Sequence, residues 1–155
     1  MKITYSEDLK MNHYEMKLVV HPKNKKLARL LAQQFKETLG EIEVTDDYRN
    51  KYPIPILAIY YVEIIDHKAF VYTDKEVYRI YGSIPSLKEK MIKLGFHQIN
   101  VRTFVNVKHV KQYQIYKGCR RKVILDNGDM LVSSRHFKPQ FYEMIAQRTD
   151  IEFCE

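Results

Sequence analysis

Tryptophan is absent from this 155-residue chain, and glycine and cysteine are scarce, with five Gly and two Cys. Without a GxGxxG or GxxxxGK[ST] stretch there is no glycine-rich cradle for phosphates, which argues against nucleotide-driven chemistry. Two thiols, Cys119 and Cys154, cannot make a disulfide framework. Neither has a Cys or His neighbour at metal-ligand spacing, so both read as free thiols, and no metal or cofactor is expected. The histidines (His13, His21, His67, His97, His109 and His136) show no HExxH pattern, and Ser133 and Ser134 lack a GxSxG context. An enzyme is therefore not expected. No apolar run reaches the roughly 18 residues of a membrane helix. The longest, 54–65, already contains Glu63. The first residues, Met1 to Glu7, lack the apolar block of a signal peptide, which gives the expectation of a cytoplasmic protein.

Positive charge is what the chain has in excess: 26 Lys and Arg against 19 acids, a net +7. The segment from Lys88 to Lys122 holds ten of those cations and a single acid, Glu89. Mixed signs serve solubility, so a one-sided stretch points to an anionic partner. Within it runs Gln98-Ile99-Asn100-Val101-Arg102-Thr103-Phe104-Val105-Asn106-Val107, a strand-forming sequence set with cations and small polar groups. Twelve Tyr, seven Phe and many β-branched residues favour strands over helices. A chain this long buries roughly 68–70% of its unfolded surface, enough for a real core.

Two regions are expected. In residues 1–50, a strand over 14–20 leads through His21-Pro22-Lys23-Asn24, with Asn24 as N-cap, into a helix whose stripe is Leu27, Leu30, Leu31, Phe35 and Leu39. A strand over 41–44 closes this small α/β extension, and the turn-rich stretch 46–53 marks a boundary. Residues 51–155 form a mainly β domain with short helices. Strands are expected over 54–65, 70–72, 77–80, 98–101, 103–105, 110–116, 122–125 and 129–133. One helix begins near Ser83 and carries Leu87, Met91 and Leu94. A last one turns Phe137, Phe141, Met144 and Ile145 inward. Asp126-Asn127-Gly128 signals a tight hairpin, because Asn-Gly accepts positive φ at both central positions. Neither later helix has a helix beside it, so there is no helix-turn-helix.

Four segments then stand in order: Ile59-Tyr60-Tyr61-Val62-Glu63; Asp66-His67 with Thr73; Phe96 with Thr103-Phe104-Val105-Asn106; and Asn127-Gly128 through Ser134-Arg135. Their text and spacing over about residues 54–147 resemble the LytTR family of bacterial DNA-binding domains. The resemblance implies an elongated antiparallel β fold whose loops enter successive major grooves on one side of duplex DNA. It implies that His67, Asn106 and Arg135 read bases or hold the backbone. Arg can bond guanine O6 and N7, and Asn can bond adenine N6 and N7. Lys68, Arg102, Lys108, Lys111, Arg120, Arg121, Lys122 and Lys138 are then expected on phosphates. Where the family often has two basic residues after the last strand, this chain has Ser134 and then Arg135, and Asn100-Val101-Arg102 also departs from the usual text.

The function expected is a sequence-specific transcription regulator that binds repeated sites in double-stranded DNA. Residues 1–50 are too short for a receiver domain. They are expected to serve regulation or self-association, with the leucine stripe available to a second subunit in a homodimer. The resemblance further implies restraint by a separate inhibitory membrane protein. The alternative is a protein-interaction module whose basic face holds an acidic partner without reading bases.

Overall fold

Pro53 and Pro55 decide how the first sheet begins. Proline has no N–H to donate and a fixed φ, so the apolar run 54–65 cannot continue as one strand. The computed structural model describes every residue except 1, 3, 12–14, 119, 149 and 155. It divides the run into β2 (Lys51–Pro55), a 3-10 turn (Ile56–Ala58) and β3 (Ile59–Ile65). Pro53 is tolerated because β2 lies at a sheet edge.

The chain forms two compact units, Met1–Leu39 and Gly40–Glu155. In the first, a 3-10 turn (Pro22–Asn24) runs into helix α1 (Lys25–Leu39). Asn24 is not the cap that the sequence suggests. It ends the 3-10 turn, and the ring of His21 accepts from the Lys23 amide at 3.3 Å instead. Of the strand expected over 14–20, Tyr14 lies outside the described residues and 15–20 form no strand.

The second unit contains a seven-stranded sheet in the order β2-β1-β5-β4-β3-β7-β6 and a four-stranded sheet, β10-β9-β8-β11. Strand β1 (Glu41–Thr45) pairs with β2 along its length, so the turn-rich segment before Lys51 is a hairpin loop inside the sheet. Asp46 organises that loop, its Oδ1 accepting from the amides of Tyr48 and Asn50 at 2.9 and 2.8 Å. Strands β4 (Lys68–Thr73) and β5 (Val77–Ile80) follow as a meander. Helix α2 (Ile84–Lys93) buries Leu87 and Met91 and contacts β4 and β6 (Phe96–Gln98). Strand β7 (Thr103–Asn106) lies between β3 and β6. Alternate residues of this sheet, among them Ile42, Val44, Val62, Val71 and Phe104, are fully buried.

The strand expected over 98–101 stops at Gln98. Asn100 is the cause: its Oδ1 accepts from the amides of Arg102 and Thr103, both at 2.9 Å. A side chain that captures nearby backbone donors competes with ladder bonding and forces a loop.

The smaller sheet holds β8 (Val110–Ile115), β9 (Arg121–Leu125) and β10 (Met130–Ser133), antiparallel, with β11 (Glu152–Cys154) added parallel to β8. Helix α3 (Lys138–Ala146) drives Phe141 and Ile145 into a second core with Val105, Tyr113, Val123 and Leu125. Met144, expected inward, is exposed, and Phe137 is half-buried. The β9–β10 turn also differs from expectation. Only Gly128 has positive φ, at 90°, while Asn127 Oδ1 accepts from the Asp129 amide at 2.9 Å. That geometry fits a longer turn closed by glycine, not a two-residue one.

His97, on β6, lies 5.6 Å from the Phe141 ring, and its Nε2 is buried without a partner. Burial holds its pKa below the ordinary 6.5, so the ring is neutral in the fold. The sign is then fixed. The unfolded chain takes up this proton first, so stability falls as the pH drops below about 6.5. Melting temperature should decline over that range, and less steeply in His97→Phe, as calorimetry across pH would show.

Candidate nucleic-acid interface

The turn between β3 and β4 is the tightest in the molecule's second unit. Ile65 pairs with Lys68, leaving only Asp66 and His67 to reverse the chain. Both have positive φ, 47° and 59°. This pair of left-handed residues is what a two-residue hairpin needs to match strand twist. Neither is glycine, so the backbone is held in a region that most side chains disfavour by roughly 1–2 kcal/mol. The result projects His67 and Lys68 from the sheet's end, both exposed. Replacing His67 with Gly should therefore stabilise the fold by about 1 kcal/mol. That would raise the melting temperature by about 2–4 °C while removing the ring from the surface.

Beside this turn sits the β6–β7 loop. The Ile64 amide donates to Arg102 O at 2.8 Å, fixing the loop against the end of β3. From its other side the Ser134 amide donates to Ile99 O at 2.9 Å, and Asn100 Nδ2 donates to Val132 O at 3.0 Å. One short loop is thus hydrogen-bonded to both sheets. Along this line the end of β3, Arg102, and the Ser134-Arg135 exit from β10 are neighbours. Arg102 and Arg135 are exposed, and Ser134 is half-buried.

The smaller sheet brings more cations to the same end. Arg121 pairs with Ser133 and Ile115, and Lys122 with Val132 and Gln114. The Tyr116 amide donates to Arg120 O at 3.1 Å, so Lys117 and Arg120 lie on the connecting loop there. Lys122 is half-buried, its ammonium 4.8 Å from the Tyr116 ring centroid. Packing on the ring face orders this long side chain and keeps its charge at the surface.

Asn106 does not belong to this end. It closes β7, which runs antiparallel to β3, so it stands near the start of β3 while His67 follows its finish. It is only 4% exposed. Its Nδ2 donates to Ile59 O at 2.9 Å and to Ile56 O at 3.2 Å, and its Oδ1 accepts from the Lys108 amide at 3.2 Å. Every polar group of the side chain is occupied by backbone. The amide staples the 3-10 break between β2 and β3. Lys108 is exposed but shares that distant end with Asn106. There His109 also ties the two sheets, stacking on Tyr60 with centroids 4.1 Å apart. Its ring nitrogens lie 3.1 Å from Asp126 Oδ2 and 2.5 Å from Leu57 O.

The resemblance-based assignment thus separates. His67, Lys68, Arg102, Lys122, Ser134 and Arg135 gather at one end, whereas Asn106 and Lys108 stand apart. What the sequence reading missed is Asn100. Asn is a turn residue as well as a polar strand residue, because its side chain can bond the backbone two residues on, and here the turn prevails, with Val101 and Arg102 exposed. Among the described residues no group of His, Cys, Asp or Glu could hold a metal. No helix there is long and apolar enough to cross a membrane.

A family model described as the LytTr DNA-binding domain matches residues 49–146. A solved structure, the LytTr DNA-binding domain of a Bacillus cereus protein, superposes with a TM-score of 0.61 at 19% identity. The match covers 68% of this chain and 95% of that one, and at such identity it shows a shared fold. Among curated proteins none matches.

Proposed function

The chain belongs to the LytTr DNA-binding domain family, whose model spans most of its length, and from that premise we propose that it is a transcription regulator reading the major groove of duplex DNA in a sequence-dependent way. The observation that carries this reading is the 99–102 loop bonded to both sheets, which sets His67, Arg102 and Arg135 along a single cationic end. Turns at the ends of strands can enter a groove about 12 Å wide without a recognition helix. Arg102 and Arg135 have the planar donor fork that matches guanine O6 and N7, and His67 can donate to a base edge or a phosphate. Lys68, Arg120, Arg121, Lys122 and Lys138 then set position on phosphates, and Ser134 adds a short hydroxyl donor. Asn106, Lys108 and Lys111 carry no part of it. Residues 1–39 supply the regulatory surface, for self-association or for restraint by a separate membrane protein.

Selection of duplexes from a random library, followed by titration of the recovered sequence against salt, tests the proposal. A shared, spaced motif should emerge. With about five phosphate contacts, log K should fall against log salt with a slope near −4.5. Equal affinity for every duplex recovered would sink base reading and favour a basic surface for an acidic partner.

A further inference from the structure

The loop over residues 99–102 has most of its polar groups already bonded within the protein. Its carbonyls at Ile99, Val101 and Arg102 accept from the Ser134 amide, from Gln98 Nε2 at 3.4 Å and from the Ile64 amide. The Asn100 side chain is used at both ends, Oδ1 on the Arg102 and Thr103 amides and Nδ2 on Val132 O. Ile99 is fully buried. What the loop shows to a ligand is therefore the pair Val101 and Arg102, with Val101 68% exposed. A lone apolar residue at a surface is ordinary. Val101 is set apart by its place, in a loop pinned to both sheets and next to Arg102, on the end that carries His67, Lys68 and Arg135.

We propose that Val101 is a specificity-determining residue that packs on the C5-methyl group of a thymine, within one step of the base pair that Arg102 engages. The proposal rests on the groove-reading function stated above and names one base of the target. In the major groove the four bases show hydrogen-bond donors, acceptors and a single methyl group, and only the methyl matches an isopropyl side chain. Cytosine in the same place shows an amino donor and no methyl; against Val101 that donor would lose water without gaining an acceptor. To a phosphate the side chain has no donor to offer. The branched Cβ leaves χ1 few choices, and the bonded backbone holds the rest, so little freedom is lost when the contact forms.

Deleting the methyl from the DNA tests it. In the duplex recovered from the random library, each thymine is replaced in turn by deoxyuridine, which keeps the pairing and O4. Competition titrations then compare the wild-type chain with Val101→Ala. At one thymine of each repeat the wild-type protein should lose roughly fourfold in affinity, the worth of one buried methyl group. Val101→Ala should bind the unmodified duplex more weakly by a similar factor and be indifferent to that replacement, because both changes remove the same contact. A replacement that penalises both proteins equally acts through the DNA alone and overturns the proposal. So does a site in which no thymine is sensitive. A library that returns no shared motif overturns the groove reading and this inference with it, whereas a motif without a sensitive thymine overturns this inference alone.

Discussion

Asn106→Ala should lower stability by about 3 kcal/mol while leaving the affinity of the folded protein for DNA unchanged. The substitution strips partners from the carbonyls of Ile56 and Ile59 and from the Lys108 amide. A buried polar group left without a partner costs roughly 1–3 kcal/mol, partly recovered where water can reach it. For a chain of this size that shift moves the melting temperature by roughly 6–12 °C. Asn106→Asp should fare little better, since a carboxylate cannot donate to the two carbonyls. Urea melts give the stability and DNA titrations at low temperature give the affinity. If the Ala variant melted normally but lost its preferred sequence, Asn106 would be a reader after all.

Arg135→Ala should have the opposite profile: a near-normal melt and a loss of discrimination at one base pair. A bidentate arginine–guanine contact discriminates by roughly 1–3 kcal/mol, which is about 5- to 150-fold in relative affinity. Because Arg135 is exposed, its removal leaves no buried group unsatisfied. Lys122→Ala serves as the contrast. It should weaken all duplexes to a similar degree and reduce the salt slope by about 0.9. Competition titrations with single-base variants of the selected site separate the two. Identical patterns from Arg135→Ala and Lys122→Ala would mean that both residues merely touch phosphates.

The strand framework was legible because burial imposes a period of two on the text. Ala69 through Thr73 and Val77 through Ile80 alternate cleanly and lie in strands expected of them, whereas the run 54–65 is broken by the 3-10 turn, and β3 carries an irregularity at Ile59–Tyr61 that upsets its period. Left-handed turns were harder to place. Asn-Gly at 127–128 carries the familiar signal, yet the two-residue turn occurs at Asp66-His67, where the pairing of β3 with β4 overrides local preference. The parallel strand β11 gave no warning, since three residues are too few to establish a period. Within the interface, motif text cannot distinguish an Asn that reads from an Asn that staples. Both need a polar side chain at a strand end, and only burial tells Asn106 from an exposed donor. Position 100 posed the converse problem. It reads as part of a polar strand, yet its bonds to the amides that follow create the loop that joins the two halves of the interface.

That loop also couples motions. Ile64 lies in β3 and Ser134 directly follows β10 of the other sheet, but both amides donate to carbonyls within residues 99–102. Neither proton can exchange with deuterium until the same few residues lift away, so the two should exchange at one common rate. Occupancy by a duplex should slow both together, turning a pair of amides far apart in the chain into a single gauge of grip.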